Sequence, residues 1–154
     1  MSGTQLVVED AVTLAFGLIG AKMLLGAPAR TLGSFSAAES AIIIEARQIM
    51  ESPGMAAIQE AHLAGKAVVV NIGGRLVQYE PGLAASGFTN FAQNGFAVGR
   101  EAFSSPTELG RTVLHELHRL TTSQSTVGAY GELVASETRA AFDFANRAVG
   151  YLFQ

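Results

Sequence analysis

Cysteine and tryptophan are absent from this chain of 154 residues, lysine occurs twice and histidine three times. Without cysteine there is no disulfide, no cysteine zinc cluster, no iron–sulfur ligation and no thiol nucleophile, and the redox compartment stays open. Charge is sparse as well: Asp, Glu, Lys and Arg make up 15% of the residues, against roughly a quarter in an average soluble domain. Ten basic and 13 acidic residues give a net charge of −3. No broad nucleic-acid-binding surface is expected from that balance, and any such contact is confined to a local patch. Only Lys22 and Lys66 among the basic residues are not Arg. Imidazole chemistry falls to His62, His115 or His118.

What is abundant is apolar: 49% of the residues are hydrophobic, and there are 17 glycines. The length suits one domain of ordinary size with a real core. The most hydrophobic run, residues 11–29 (AVTLAFGLIGAKMLLGAPA), is interrupted by Lys22 and closed by Gly26 and Pro28. It falls short of the roughly 20 apolar residues that cross a bilayer, and Glu9 and Asp10 stand where a secretory leader carries positive charge. Residues 5–25 are read as helix, docked on the rest of the protein or making membrane contact through residues 5–29.

Further on, Ser36 followed by Glu39 is a capping-box pattern that opens a helix over residues 37–51. Ser52-Pro53 starts a second helix that ends near Gly65. AVVVNI, Gly73-Gly74 and RLVQYE read as a β-hairpin, and FTNFAQ, Asn94-Gly95 and FAVGR as another with a two-residue turn. Ser105-Pro106 with Glu108 opens a helix to about Leu120, and a last helix covers about residues 129–149. The class is α+β: N-terminal helices, two β-hairpins, two C-terminal helices, with a helical part over residues 1–65 and an α+β part over residues 66–154.

On the helix opened by Pro106, Leu109, Val113, Leu117 and Leu120 share one face, opposite Thr112, His115, His118 and Arg119, with Glu116 on the border. His115 is one turn from both His118 and Arg119. Taken alone, this is either a solvated polar face or a site. On the last helix, Tyr130, Leu133, Val134, Ala140, Ala141, Phe144 and Ala148 make an apolar stripe with Glu137 at its centre. Glu132, Arg139, Asp143 and Arg147 lie on the far side. A carboxylate in such a stripe needs a cation, a metal or strong donors. That leaves open an ion pair with Arg119 or Arg100, and a ligand or catalytic carboxylate.

FAVGRE, SPTELGRT, VLHEL and ETRAAFDFA together resemble the zincin metallopeptidases, above all the ImmA/IrrE-like group. There a His-Glu-x-x-His helix is followed by a helix with Glu-x-x-Ala-x-x-Phe-Ala. The resemblance spans about residues 94–148. It implies Zn²⁺ held by His115 and Glu137, with Glu116 as general base for the metal-bound water. The chain departs at the second histidine of that motif, where it has Arg119, with His118 one position earlier. The resemblance therefore implies either His115, His118 and Glu137 as metal ligands, or a metal-free site of His115, Glu116, Arg119 and Glu137.

The whole chain also resembles the C-terminal toxin domains of bacterial polymorphic toxins of the Rhs type, in its apolar lead-in and in GFAVGREAF and ELGRTVLHELHRLTTS. That resemblance implies an effector of interbacterial competition. It would be secreted or delivered into a target bacterial cell, and held inactive in the producer cytoplasm by a cognate immunity protein. The leading expectation is a hydrolase with a His/Glu site on a zincin-like frame. Its alternatives are a metal-free nuclease using His115 or His118 with Arg119 or Arg100, and an ADP-ribosyltransferase-type set of Arg75, Tyr79 and a late Glu. A membrane-active toxin and an inactive interaction module with an Arg119–Glu137 pair complete them. His62, near Gly65, is read as a surface or helix-terminal histidine.

Overall fold

The computed structural model describes residues 6–8, 32–123 and 132–153. The first helix, α1 (Ala37–Glu51), begins with the capping box that the sequence spells. Ser36 Oγ accepts the Glu39 N–H at 3.0 Å, and Glu39 Oε1 accepts the Ser36 N–H at 2.9 Å. Ser52 closes α1 and caps α2 (Pro53–Ala64), accepting the Gly54 N–H at 3.0 Å. Gly65, at φ +68°, stops α2 in the left-handed region that favours glycine.

Strands β2 (Val68–Ile72) and β3 (Arg75–Tyr79) form the first hairpin, with Gly73 and Gly74 both at positive φ in its turn. Strands β4 (Gly87–Asn90) and β5 (Gly95–Val98) form the second. Its turn is longer than the expected two-residue Asn94-Gly95 turn: a 3₁₀ turn over Phe91–Gln93 precedes Asn94 at φ 53°. Gly95 is spent inside the sheet instead. A Cβ there would lie 1.9 Å from the Leu76 carbonyl oxygen, so only glycine lets β5 close onto β3.

The expected helix over residues 5–25 is corrected at its start. Leu6–Val8 is a strand, β1, pairing in parallel with Val68–Val70. The apolar, β-branched Leu-Val-Val stretch extends the open edge of β2. The rest of that segment, with most of the apolar run 11–29, lies outside the described residues. Among the described residues no helix is long and apolar enough to cross a membrane.

The mixed sheet has the order β1-β2-β3-β5-β4. Val8, Val70, Val77, Phe96 and Thr89 lie in register across it as one row. Val70, Val77 and Phe96 are fully buried. The row ends at the edge strand on a hydroxyl, Thr89. Helix α2 covers β2, with Gly54 pressed on Val70 and Ile72. Helix α3 (Pro106–Thr122) crosses β4 and β5, and α4 (Glu132–Ala148) packs on α3, which also meets α1. Ile43 and Ile49 of α1, Met55 and Ile58 of α2, Leu114 and Leu117 of α3, and Phe144 of α4 belong to one cluster. Residues from 1–65 and from 66–154 thus share a core, and the fold is α+β as expected.

Candidate active site

Helix α3 starts on Ser105, whose Oγ accepts the Glu108 N–H at 3.0 Å, with Pro106 in the first turn. Leu109, Val113 and Leu117 are buried as the apolar periodicity predicts, but so are Thr112, His115 and Glu116. The polar face is not a solvated one. The edge strand β4 lies against α3, and α4 covers it from another side.

Glu116 is 4% exposed. Its Oε1 accepts a hydrogen bond from the Thr89 hydroxyl at the end of the sheet row. Its Oε2 lies so close to Gly87 that a Cβ there would come within 2.7 Å. Burial raises the Glu116 carboxyl to about 7, against the opposing effects of the Thr89 hydrogen bond and the Arg119 charge. Both protonation states are populated at neutral pH.

His115, 9% exposed, packs its ring on Phe142 with centroids 4.2 Å apart. Its Nδ1 is buried with no hydrogen-bond partner. Burial, together with the charges of Arg119 and His118, lowers the imidazole to about 4, so it is neutral at pH 7. His115, Glu116 and Thr112 of α3, Ser86 and Gly87 at the start of β4, and Phe142 of α4 line a cleft of about 150 Å³. Arg111 also lines it and is paired with Glu108 at 2.7 Å. A water-sized substrate atom, a carboxyl titrating near neutrality and an uncharged imidazole can meet there, which suits proton transfer.

The other residues singled out from the sequence are placed differently. Arg119 is half-buried, with its guanidinium carbon 5.5 Å from the Phe91 ring centre, and no ion pair of Arg119 forms among the described residues. His118 packs on Phe144, centroids 4.9 Å apart, with its Nδ1 3.2 Å from Thr122 Oγ1; the charges that act on it are Glu39 and Arg147. His118 therefore stands on the Phe144 side of α4 and His115 on the Phe142 side. Glu137 is half-buried, has contacts of its own, and is not among the described residues that line the cleft. The buried stripe of α4 is Ala141, Phe144, Ala145 and Ala148, while Ala140 is exposed, and Glu137 stands on the same side of the helix as Phe144 and Ala148. Tyr130 lies outside the described residues, as do the side chains of Leu133 and Val134. Among the ion pairs of the described residues none joins Arg119 to Glu137, which has contacts of its own, and Arg100 is exposed.

These positions test the implied zinc site. Among the described residues no group of three or more His, Cys, Asp or Glu is disposed to hold a metal ion. His115, His118 and Glu137 are thus not gathered: the ring of His115 packs on Phe142 and that of His118 on Phe144. The residue one full turn from His115 is a permanent cation, Arg119, which cannot ligate a metal. The donor set does not fit zinc.

Arg75 is engaged by Glu45 at 2.8 Å and Asn94 at 2.5 Å, and Tyr79 is buried beneath His62 and Phe103. His62 stacks on Phe103 at 4.2 Å and has its Nδ1 3.1 Å from the Tyr79 hydroxyl. It lies in the last turn of α2, as the helix-terminal reading has it, and is half-buried rather than on the surface because the end of α2 rests on β3. Neither Arg75 nor Tyr79 lines the cleft.

Sequence reasoning missed Thr89, Gly87 and Phe142. Phe142 carried a signal, as an aromatic residue off the apolar stripe, and it is 52% exposed beside His115. Thr89 and Gly87 gave none, since their role depends on β4 landing on α3. Comparison of the chain with known protein families, with curated proteins and with solved structures found no match.

Proposed function

We propose that the protein is an effector-type hydrolase whose cleft moves a proton through Glu116, with His115 hydrogen-bonding the substrate, without a metal. The observation that carries this reading is Glu116, a buried carboxyl with one hydroxyl donor, facing a cleft beside an uncharged imidazole whose Nδ1 has no partner. As a carboxylate, Glu116 takes a proton from a water attacking the scissile bond, and then returns that proton to the leaving group. Water is added across the bond, and Glu116 ends in its starting state. His115, neutral at pH 7, has Nδ1 left to hydrogen-bond a substrate atom. Thr89 holds Glu116 in register, and Gly87 leaves room for it. The effector setting, with delivery into a target cell and an immunity protein over the cleft, rests on the resemblance to polymorphic toxin domains. The chemistry rests on the cleft.

Expression of the chain in a bacterial cytoplasm tests both parts. The wild type should arrest growth, and Glu116→Gln, which should slow the reaction by about 100-fold or more as loss of a general acid–base group does, should restore growth, as should His115→Ala. Circular dichroism and thermal unfolding would confirm that both variants fold. Folded variants that remain as toxic as the wild type would overturn the proposal.

A further inference from the structure

Five buried side-chain polar atoms among the described residues have no hydrogen-bond partner, and four of them are on or next to α3: Arg111 Nε, His115 Nδ1, Arg119 Nε and Ser123 Oγ. They recur at every fourth residue, so they follow one inclined ridge about 18 Å long on the helix surface. Natural proteins rarely leave such groups unsatisfied, and a run of them on one ridge marks a place that a ligand completes. The first two members belong to the cleft. Arg119 continues past it, over the ring of Phe91 in the turn that follows β4, and Ser123 caps the end of α3 four residues further on.

Arg119 is the informative member. Arg111 is answered by Glu108 at 2.7 Å, but no carboxylate pairs with Arg119 among the described residues. Its partner is an aromatic ring, which stabilises a guanidinium without consuming its charge. It lies on the same helix one turn from both His115 and Glu116, and its charge acts on both. It also occupies the helix position where the metal motif would carry its second histidine, and supplies there a fixed positive charge in place of a ligand.

We propose that Arg119, with Ser123 one turn further on, forms an anion-binding subsite adjoining the cleft, and that it receives an oxyanion group of the substrate, phosphoryl or carboxylate. This deepens the hydrolase reading and rests on the cleft being the place of reaction. A guanidinium offers paired N–H donors to either anion, and a Ser hydroxyl adds one more donor.

Isothermal titration of the full chain with inorganic phosphate, and in a second arm with acetate, tests the subsite, with chloride at matched ionic strength as the baseline. One of the two anions should bind saturably with one-to-one stoichiometry, and which one names the group. Arg119→Gln should weaken that binding at least tenfold, and Ser123→Ala should weaken it several-fold. Arg119→Lys keeps the charge and should retain part of the affinity, which also serves if the Gln variant does not fold. Glu116→Gln should bind the anion as well as the wild type or better. If growth arrest survives Glu116→Gln while anion binding still depends on Arg119, the hydrolase reading falls and the subsite stands. If neither anion binds the wild type more strongly than chloride, or binding is unchanged in the Arg119 and Ser123 variants, the subsite is refuted.

Discussion

Replacing Glu116 with Gln keeps the shape of the side chain and removes its ionisation, and the effect on stability can be worked from the structure. In the unfolded chain the carboxyl titrates at the ordinary 4.5, and in the folded protein at about 7. Because the folded value is the higher, the folded state holds an extra proton between them. The contribution of this group to stability is full below pH 4.5 and is lost as pH rises through 7. At 1.36 kcal/mol per pH unit the loss is on the order of 3 kcal/mol, a sizeable part of the roughly 5–15 kcal/mol that holds a domain folded. His115 works in the opposite direction. Its folded value is lowered from 6.5 to about 4, so its contribution is full above 6.5 and is lost as pH falls through 4. In the wild type the two slopes oppose each other over the mildly acidic range, and the substitution uncovers one of them. Urea unfolding of wild type and Glu116→Gln across the pH range gives the difference that isolates Glu116. It should shift in favour of the variant by about 3 kcal/mol between about pH 4.5 and pH 8. An imperfect fit of the amide beside Thr89 and Gly87 would offset the curve without changing that slope. A difference that is flat with pH, or that favours the wild type as pH rises, would refute the reasoning.

Other substitutions separate packing from chemistry. Phe144→Ala empties a fully enclosed position in the core and should cost about 3–5 kcal/mol by chemical denaturation. Phe142→Ala, at a half-exposed position beside His115, should cost under about 1.5 kcal/mol while lowering activity. Gly87→Ala puts a methyl 2.7 Å from Glu116 Oε2 and 2.9 Å from Thr112 Cγ2; it should cost about 1–3 kcal/mol and displace the carboxyl, read as a growth-arrest assay at reduced potency. Ser105→Ala removes the cap of α3 and should lower stability by about 1 kcal/mol with the pH profile unchanged.

The local rules were legible in the sequence wherever the relevant partner is near along the chain. The capping box at Ser36 and Glu39, the Ser52-Pro53 boundary, the Gly73-Gly74 turn and the Ser105-Pro106 start all appear where their residues put them. Long-range partners were not legible. Val7 and Val8 could be read as the start of a helix, and only the free edge of β2 makes them a strand. Gly95 looked like a turn residue, and only the Leu76 carbonyl opposite it shows why glycine is required. His115 and Glu116 were legible as a candidate pair from their helix. What sets their proton affinities is burial under β4 and α4, which involves Thr89, 27 positions away from Glu116. Glu137 was weighted by a stripe that included Ala140, and the observed helix buries Ala145 instead, while Phe144 and Ala148, on the side of Glu137, are buried as read.

The central claim is that Glu116 is the group in this cleft that gains and loses a proton near neutral pH. Carbon-13 NMR of the glutamate side chains through a pH titration, with the Glu116 resonance assigned by its absence in Glu116→Gln, measures it directly. The account predicts a midpoint close to 7 for Glu116. A midpoint near 4.5, that of an ordinary exposed glutamate, would contradict it.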